Sequence, residues 1–131
     1  MSGFQNARAI SLACAAANVP ANRFVRPSAT GIITVGTSGQ DAVGVSLEAY
    51  VHADFVAGNA SNVIAVAQLD GAKLMVEAGA AIAAGAAIMS NAAGKAITAA
   101  TAGSNILGYA VEAAAADGEM IQIVSSKGSQ V

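Results

Sequence analysis

The chain repeats itself, and the repeat limits what it can fold into. Displaced by 64 positions, Ile33–Ala49 lies over Ile97–Ala113 with seven identities in 17 positions. These are Ile33/Ile97, Thr34/Thr98, Thr37/Thr101, Gly39/Gly103, Gly44/Gly108, Glu48/Glu112 and Ala49/Ala113. Val43/Leu107 and Leu47/Val111 are conservative pairs. The match resumes at a displacement of 57, where Ile64 and Val66 lie over Ile121 and Ile123. The first copy therefore holds about seven extra residues in an Asp54–Asn62 loop, which should project on one side only. A chain with 34 Ala and 14 Gly matches itself by chance at those residues, but not easily at Thr and Glu. Each copy reads as a strand–turn–strand–turn–strand unit. Neither can bury its apolar face alone, so the two should pack on one another. The expected fold is mostly β: a compact β-sandwich or barrel-like domain over residues 23–126, built from two related units (about 33–66 and 97–123). An N-terminal arm, 1–22, precedes it and a polar tail, 127–131, follows.

Residue usage agrees with β structure. Val and Ile together outnumber Leu by 23 to 5, and β-branched side chains suit a pleated surface better than a helix. Expected strands are Ile32–Val35, Ala42–Val51, Val63–Leu69, Lys73–Glu77, Lys95–Ala99, Ile106–Ala113 and Glu119–Val124. In Ala42–Val51 the alternation places Val43, Val45, Leu47 and Ala49 on one face. Asp70-Gly71 between two apolar runs is a hairpin signal. From Gly79 onward, small residues with Ile82 and Ile88 six apart read as turns that insert Ile into the core. The Ala-rich centre of 1–22 fits a helix or an extended strand. An Ala buries only a methyl group, roughly 0.8 kcal/mol. A core this thin is marginal for one small domain, so burial against other chains should complete its stability.

Several functions are excluded. A single Cys forms no intramolecular disulfide framework, and one Cys with one His makes a poor zinc site. Gly36-Thr37-Ser38-Gly39 lacks the Lys-Ser/Thr ending of a phosphate loop. Glu48 and Glu112 resemble a carboxylate pair, but no nucleophile accompanies them, and His52 has no counterpart in the second copy. They read as solvent-facing strand residues that deter edge pairing. No catalytic, cofactor or metal residues emerge, so the chain is not read as an enzyme. The apolar runs Ile10–Ala17 and Ala78–Met89 are too short or too polar for a signal peptide or a membrane span. The first 26 residues carry Arg8, Arg23 and Arg26 and no acid, whereas the rest carry all eight acids against three Lys. Three dispersed Arg make no nucleic-acid stripe, but they suit a basic arm docking on an acidic surface.

Leu74–Val124 resembles the capsid decoration, or cement, proteins of tailed bacteriophages. The resemblance rests on Val76-Glu77-Ala78-Gly79-Ala80-Ala81-Ile82-Ala83-Ala84-Gly85 and on Ser90-Asn91-Ala92-Ala93-Gly94-Lys95-Ala96-Ile97-Thr98. It ends with Asn105-Ile106-Leu107-Gly108-Tyr109-Ala110-Val111-Glu112-Ala113-Ala114 and Asp117-Gly118-Glu119-Met120-Ile121-Gln122-Ile123. The N-terminal half matches less well, and 1–22 not at all. The resemblance implies a structural virion protein, made in the host cytoplasm, that binds the outer surface of the head. Its partners would be the major capsid protein and itself, as a homotrimer, with no nucleic acid, membrane or cofactor. Phe4, Arg8, Arg23, Phe24 and Arg26 would contact capsid or a neighbouring protomer. Two other classes fit parts of the composition. An ice-binding or surface-adsorbing protein would need a flat Thr array, and a small-ligand β-barrel would need more than five aromatics.

Overall fold

A computed structural model describes residues 9–100 and 103–129. It contains β1 (Ala9–Ala13), β2 (Phe24–Ser28), β3 (Gly31–Thr34), β4 (Gly44–Ser46), α1 (His52–Val56), β5 (Val63–Gln68), β6 (Lys73–Glu77), β7 (Ala87–Ser90), β8 (Ala96–Thr98), β9 (Asn105–Ala110) and β10 (Met120–Ser129). Two five-stranded antiparallel sheets result, ordered β1-β5-β4-β2-β3 and β6-β10-β9-β7-β8. The two orders are the same once β1 is matched with β6 and each later strand with its counterpart. The duplication read from part of the sequence thus extends to all ten strands. Even the isolated bridges recur: Cys14 with Ile32 beside Ala78 with Ala96, and Val19 with Tyr50 beside Ile82 with Ala114. The sheets form a two-unit sandwich and do not close into a barrel.

The shared glycines of the repeat have one physical cause. A Cβ on Gly44 would collide with the Ala67 carbonyl, and one on Gly108 would lie 2.6 Å from the Val124 carbonyl oxygen. At both sites the neighbouring strand passes too close for a side chain. The shared glutamates also act alike. Glu48 accepts the Ala65 N–H at 2.9 Å and Glu112 accepts the Gln122 N–H at 3.1 Å. Each carboxylate is exposed, as expected, but its work is to bond a backbone amide of the next strand.

The largest buried cluster joins the sheets. It combines Leu74, Val76, Ile88, Leu107, Ile121 and Ile123 of the second with Phe24, Val45 and Ala67 of the first. A second cluster, including Val25, Ile32, Ile64, Val66 and Tyr50, lies within the first half. Ile82 and Ile88 are buried, as their spacing predicts.

The local expectations fail where tertiary contacts override local signals. Asp70-Gly71 does turn, with Gly71 at φ 95°, but β5 and β6 enter different sheets. The dipeptide sets a change of direction, while pairing goes to the repeat partners β1 and β4 for β5, and β10 for β6. Ser125 secures this crossing: its hydroxyl donates to the Ala72 carbonyl at 2.9 Å and accepts the Gly71 N–H at 3.1 Å. The Ala42–Val51 strand shrinks to β4, leaving Leu47 and Ala49 exposed and burying Ser46 and Tyr50. Ser46 is buried because its hydroxyl donates to the Pro20 carbonyl at 2.6 Å. The start of the extra loop of the first copy is helical, as part of α1, none of whose residues is buried. Within 1–22, Ala9–Ala13 is extended and pairs with β5. Within the expected tail, β10 continues to Ser129 past an irregularity between Ser125 and Gly128.

Candidate interaction surface

The chain brings its charges together at the seam between halves. The Arg23 guanidinium reaches Glu77 Oε1 from Nε at 3.3 Å and from Nη2 at 3.2 Å, while Nη1 donates to the Ala93 carbonyl at 3.0 Å. Lys95 Nζ lies 3.2 Å from Glu77 Oε2 and 2.9 Å from Asp117 Oδ1. Burial works to raise the Glu77 carboxyl, but hydrogen bonding from Lys95 and the charge of Arg23 outweigh it and hold the carboxyl below its ordinary range. Hydrogen bonding to Asp117, then to Glu77, raises Lys95. Backbone bonds run beside this clasp, from Glu77 N–H to the Asn22 carbonyl at 3.0 Å and from Phe24 N–H to the Gly94 carbonyl at 2.8 Å. Gly94, at φ 78°, admits this approach, since a Cβ there would meet Thr34 Cγ2 at 2.5 Å and the Phe24 carbonyl oxygen at 2.9 Å.

The expected contact residues are therefore placed differently from one another. Arg23 is engaged within the clasp, and Phe24 is wholly buried in the core. Arg26 is half-buried and lines an open groove with Pro27, Asp41, Ala42 and Val43. Phe4 and Arg8 lie outside the described residues, as does Thr101 of the repeat. Thr34 and Thr98 occupy matching edge strands of different sheets, so they do not form one flat array.

Among the described residues, two apolar surfaces are open to solvent. One surrounds the insert, where Leu47, Val51, Phe55, Val56 and Val63 are exposed. The other is the outer face of the second sheet, carrying Met75, Tyr109 and Val124. Scattered exposed apolar residues are ordinary, whereas contiguous ones mark contact surfaces.

A family model of phage cement proteins matches residues 4–125. The chain belongs to the phage cement protein family. It is accordingly a virion structural protein associated with the capsid. Its fold is similar to the crystal structure of the head fiber gp8.5 N base of bacteriophage phi29, with a TM-score of 0.71 and 22% identity over 95% of this chain and 99% of that one. No curated protein matches it.

In this cement-family chain Tyr50, His52 and Asn18 form a small polar cluster at the start of the insert. Tyr50 and His52 share a 2.8 Å contact between hydroxyl and Nδ1, and the His52 N–H donates to Asn18 Oδ1 at 2.8 Å. Burial, then the nearby Glu48 charge, pushes the Cys14 thiol up, which makes it a weak nucleophile. Among the described residues no group of three or more His, Cys, Asp or Glu is placed to hold a metal, and no helix is long and apolar enough to cross a membrane. Sequence reading missed both the clasp and the open outer face. The face was accessible in principle, because a displacement of 64 applied to Ala9–Ala13 lands on Lys73–Glu77. No identity marks that match, only alternating apolar residues.

Proposed function

We propose that this cement-family protein binds the outer surface of the phage head and holds neighbouring major capsid subunits together. It acts as a non-catalytic homotrimer and uses neither nucleic acid nor membrane as a partner. The family match across residues 4–125 carries this reading. The charge split and the open apolar surfaces support it. A cement needs no reaction; modest contact energy per copy becomes large when several linked contacts engage a rigid lattice. Residues 1–8, with Phe4 and Arg8, together with the groove residue Arg26, supply contacts to capsid or a neighbouring protomer. Arg23 and Phe24 assist from within by holding the base of that region.

Cryo-electron microscopy of undecorated heads mixed with the purified protein tests this. Added density over the outer surface at capsomer junctions is the expected result. Heads that stay bare, or density confined to the interior, overturn it. Removal of residues 1–8 leaves β1 intact and should weaken decoration while the thermal melt is unchanged. Undiminished decoration would remove the arm from the proposal.

A further inference from the structure

The two halves meet in one direction, and the elements of both sides of that contact recur elsewhere in the chain. In the first sheet, register aligns Ala9, Ala67, Val45 and Phe24 as one row across four strands. The matching row of the second sheet is Lys73, Val124, Tyr109 and Ala87. Phe24, Val45 and Ala67 are each 0% exposed, inside the cluster shared with the second half. Two of their counterparts are open, Tyr109 at 44% and Val124 at 36% exposure, while Ala87 is half-buried against the cluster of Met89, Ala99 and Ile106.

The turns repeat this asymmetry. The Gly39 N–H donates to the Ser90 carbonyl at 2.8 Å, and the Gly39 carbonyl accepts from Asn105 N and Nδ2, each at 3.1 Å. Gly103 is the counterpart of Gly39, at φ 86° against 78°, yet a Cβ on it would meet nothing within 4 Å. The receiving residues have counterparts too. Register matches Ser90 with Pro27, and the repeat matches Asn105 with Asp41, whose backbone N–H is a donor like that of Asn105 but whose carboxylate only accepts. Both line the open groove with Arg26, Ala42 and Val43. The inner faces differ in the same sense. Leu74, Val76 and Leu107 are buried, whereas their counterparts Ile10, Leu12 and Val43 are half-buried.

We propose that a second copy of this chain docks head to tail. The Val124–Tyr109–Ala87 row and Gly103 of one copy seat on the groove of Arg26, Pro27, Asp41, Ala42 and Val43 in the next. The apolar row and the backbone approach already made between halves are thereby repeated between copies. This rests on the self-association proposed above and gives it specific surfaces. Such a contact is heterologous, and closure after three copies gives the ring that a homotrimer requires. It lacks the clasp, because Arg23 has Ala86 as its counterpart and Glu77 has Ala13. The contact between copies is therefore the weaker one, and being bimolecular it dissociates on dilution, whereas the covalently joined halves stay together.

Sedimentation across a concentration series is the test. The wild-type chain should associate reversibly, and Tyr109→Asp, at an exposed side chain, should sediment as a single 12.7 kDa chain. Val43→Asp should do the same, with Arg26→Asp as the groove variant if Val43→Asp fails to melt cooperatively. An equimolar mixture of Tyr109→Asp with a groove variant should form a two-chain complex, since each copy keeps one good surface. A wild type that stays monomeric overturns both this contact and self-association. Variants that assemble like the wild type overturn these surfaces alone, and a mixture that stays monomeric overturns the head-to-tail arrangement.

Discussion

Gly44 and Gly108 test whether the repeat is a repeat of packing. The substitution in each case is Gly→Ala. At Gly108 the new methyl would sit 2.6 Å from the Val124 carbonyl oxygen, 3.2 Å from Ser125 Cα and 3.3 Å from Ile123 Cδ1. At Gly44 it would strike the Ala67 carbonyl and come within 2.6 Å of Val66 Cγ1. The obstacles are mainly backbone of the paired strand, which cannot rotate away as a side-chain tip can. Overpacking of this kind costs roughly 1–3 kcal/mol, and backbone obstruction puts both sites near about 3 kcal/mol. A domain of this size loses roughly 2–8 °C of Tm per kcal/mol, so each variant should melt roughly 6–24 °C lower. Gly36→Ala is the control, because nothing lies within 4 Å of its would-be Cβ and its φ is not positive. It should be neutral or stabilise by roughly 0.4–1 kcal/mol through the unfolded chain. Thermal melts and urea titrations followed by circular dichroism would measure all three. Gly44→Ala and Gly108→Ala within about 0.5 kcal/mol of the wild type, the range of an ordinary surface change, would refute the close-approach argument. So would a Gly36→Ala protein as damaged as they are.

Three further outcomes follow from single contacts. Thr34 Oγ1 is buried without a hydrogen-bond partner at the seam, so Thr34→Val should raise stability by about 1 kcal/mol, and a lower urea midpoint would count against it. The Glu77 carboxyl sits below its ordinary range when folded, so its contribution is complete above that range and is lost as pH falls through the depressed value. The urea midpoint should accordingly fall on acidification from pH 7, and Glu77→Gln should flatten that fall; parallel curves would show that the clasp is not responsible. Glu48→Ala and Glu112→Ala should each cost no more than about 1 kcal/mol, because water replaces an exposed acceptor. Amide exchange should quicken at Ala65 in the first variant and at Gln122 in the second, and unchanged exchange would deny the matched roles.

The sequence discloses the repeat where close backbone approach or a backbone acceptor demands one residue type. Gly44/Gly108, Gly39/Gly103 and Glu48/Glu112 are identities because no larger or different side chain does the same work at those points. It hides the repeat where only polarity alternates. β1 and β6 share no residue at matching positions, and neither do β2 and β7, although each pair occupies the same place in its sheet. That is why Ala9–Ala13 reads as part of an arm and not as an edge strand. The Asp70-Gly71 turn misleads for a related reason: local chemistry specifies the bend, and long-range pairing decides which strands flank each other. Arg26 was recoverable as a surface residue from its place in the basic segment. Arg23 was not, because its acidic partner lies 54 positions away in the other half.

Duplication explains how so little bulk suffices. Each half fills its own interior with Val, Ile and Leu, and the contact between halves needs only one further row. Phe24, Val45 and Ala67 supply it, and Gly94 brings the opposing backbone within hydrogen-bonding reach. Small residues at such a seam contribute little area each, so discrimination between correct and shifted seating falls to directional groups. The clasp provides it, since Arg23 meets Glu77 and the Ala93 carbonyl together only in one register. The contact between copies has an apolar row and a turn but no equivalent of that clasp. Its geometry is therefore set by the same backbone fit and its strength is lower. Under the proposed contact, a subunit built this way holds its own halves more firmly than its neighbours.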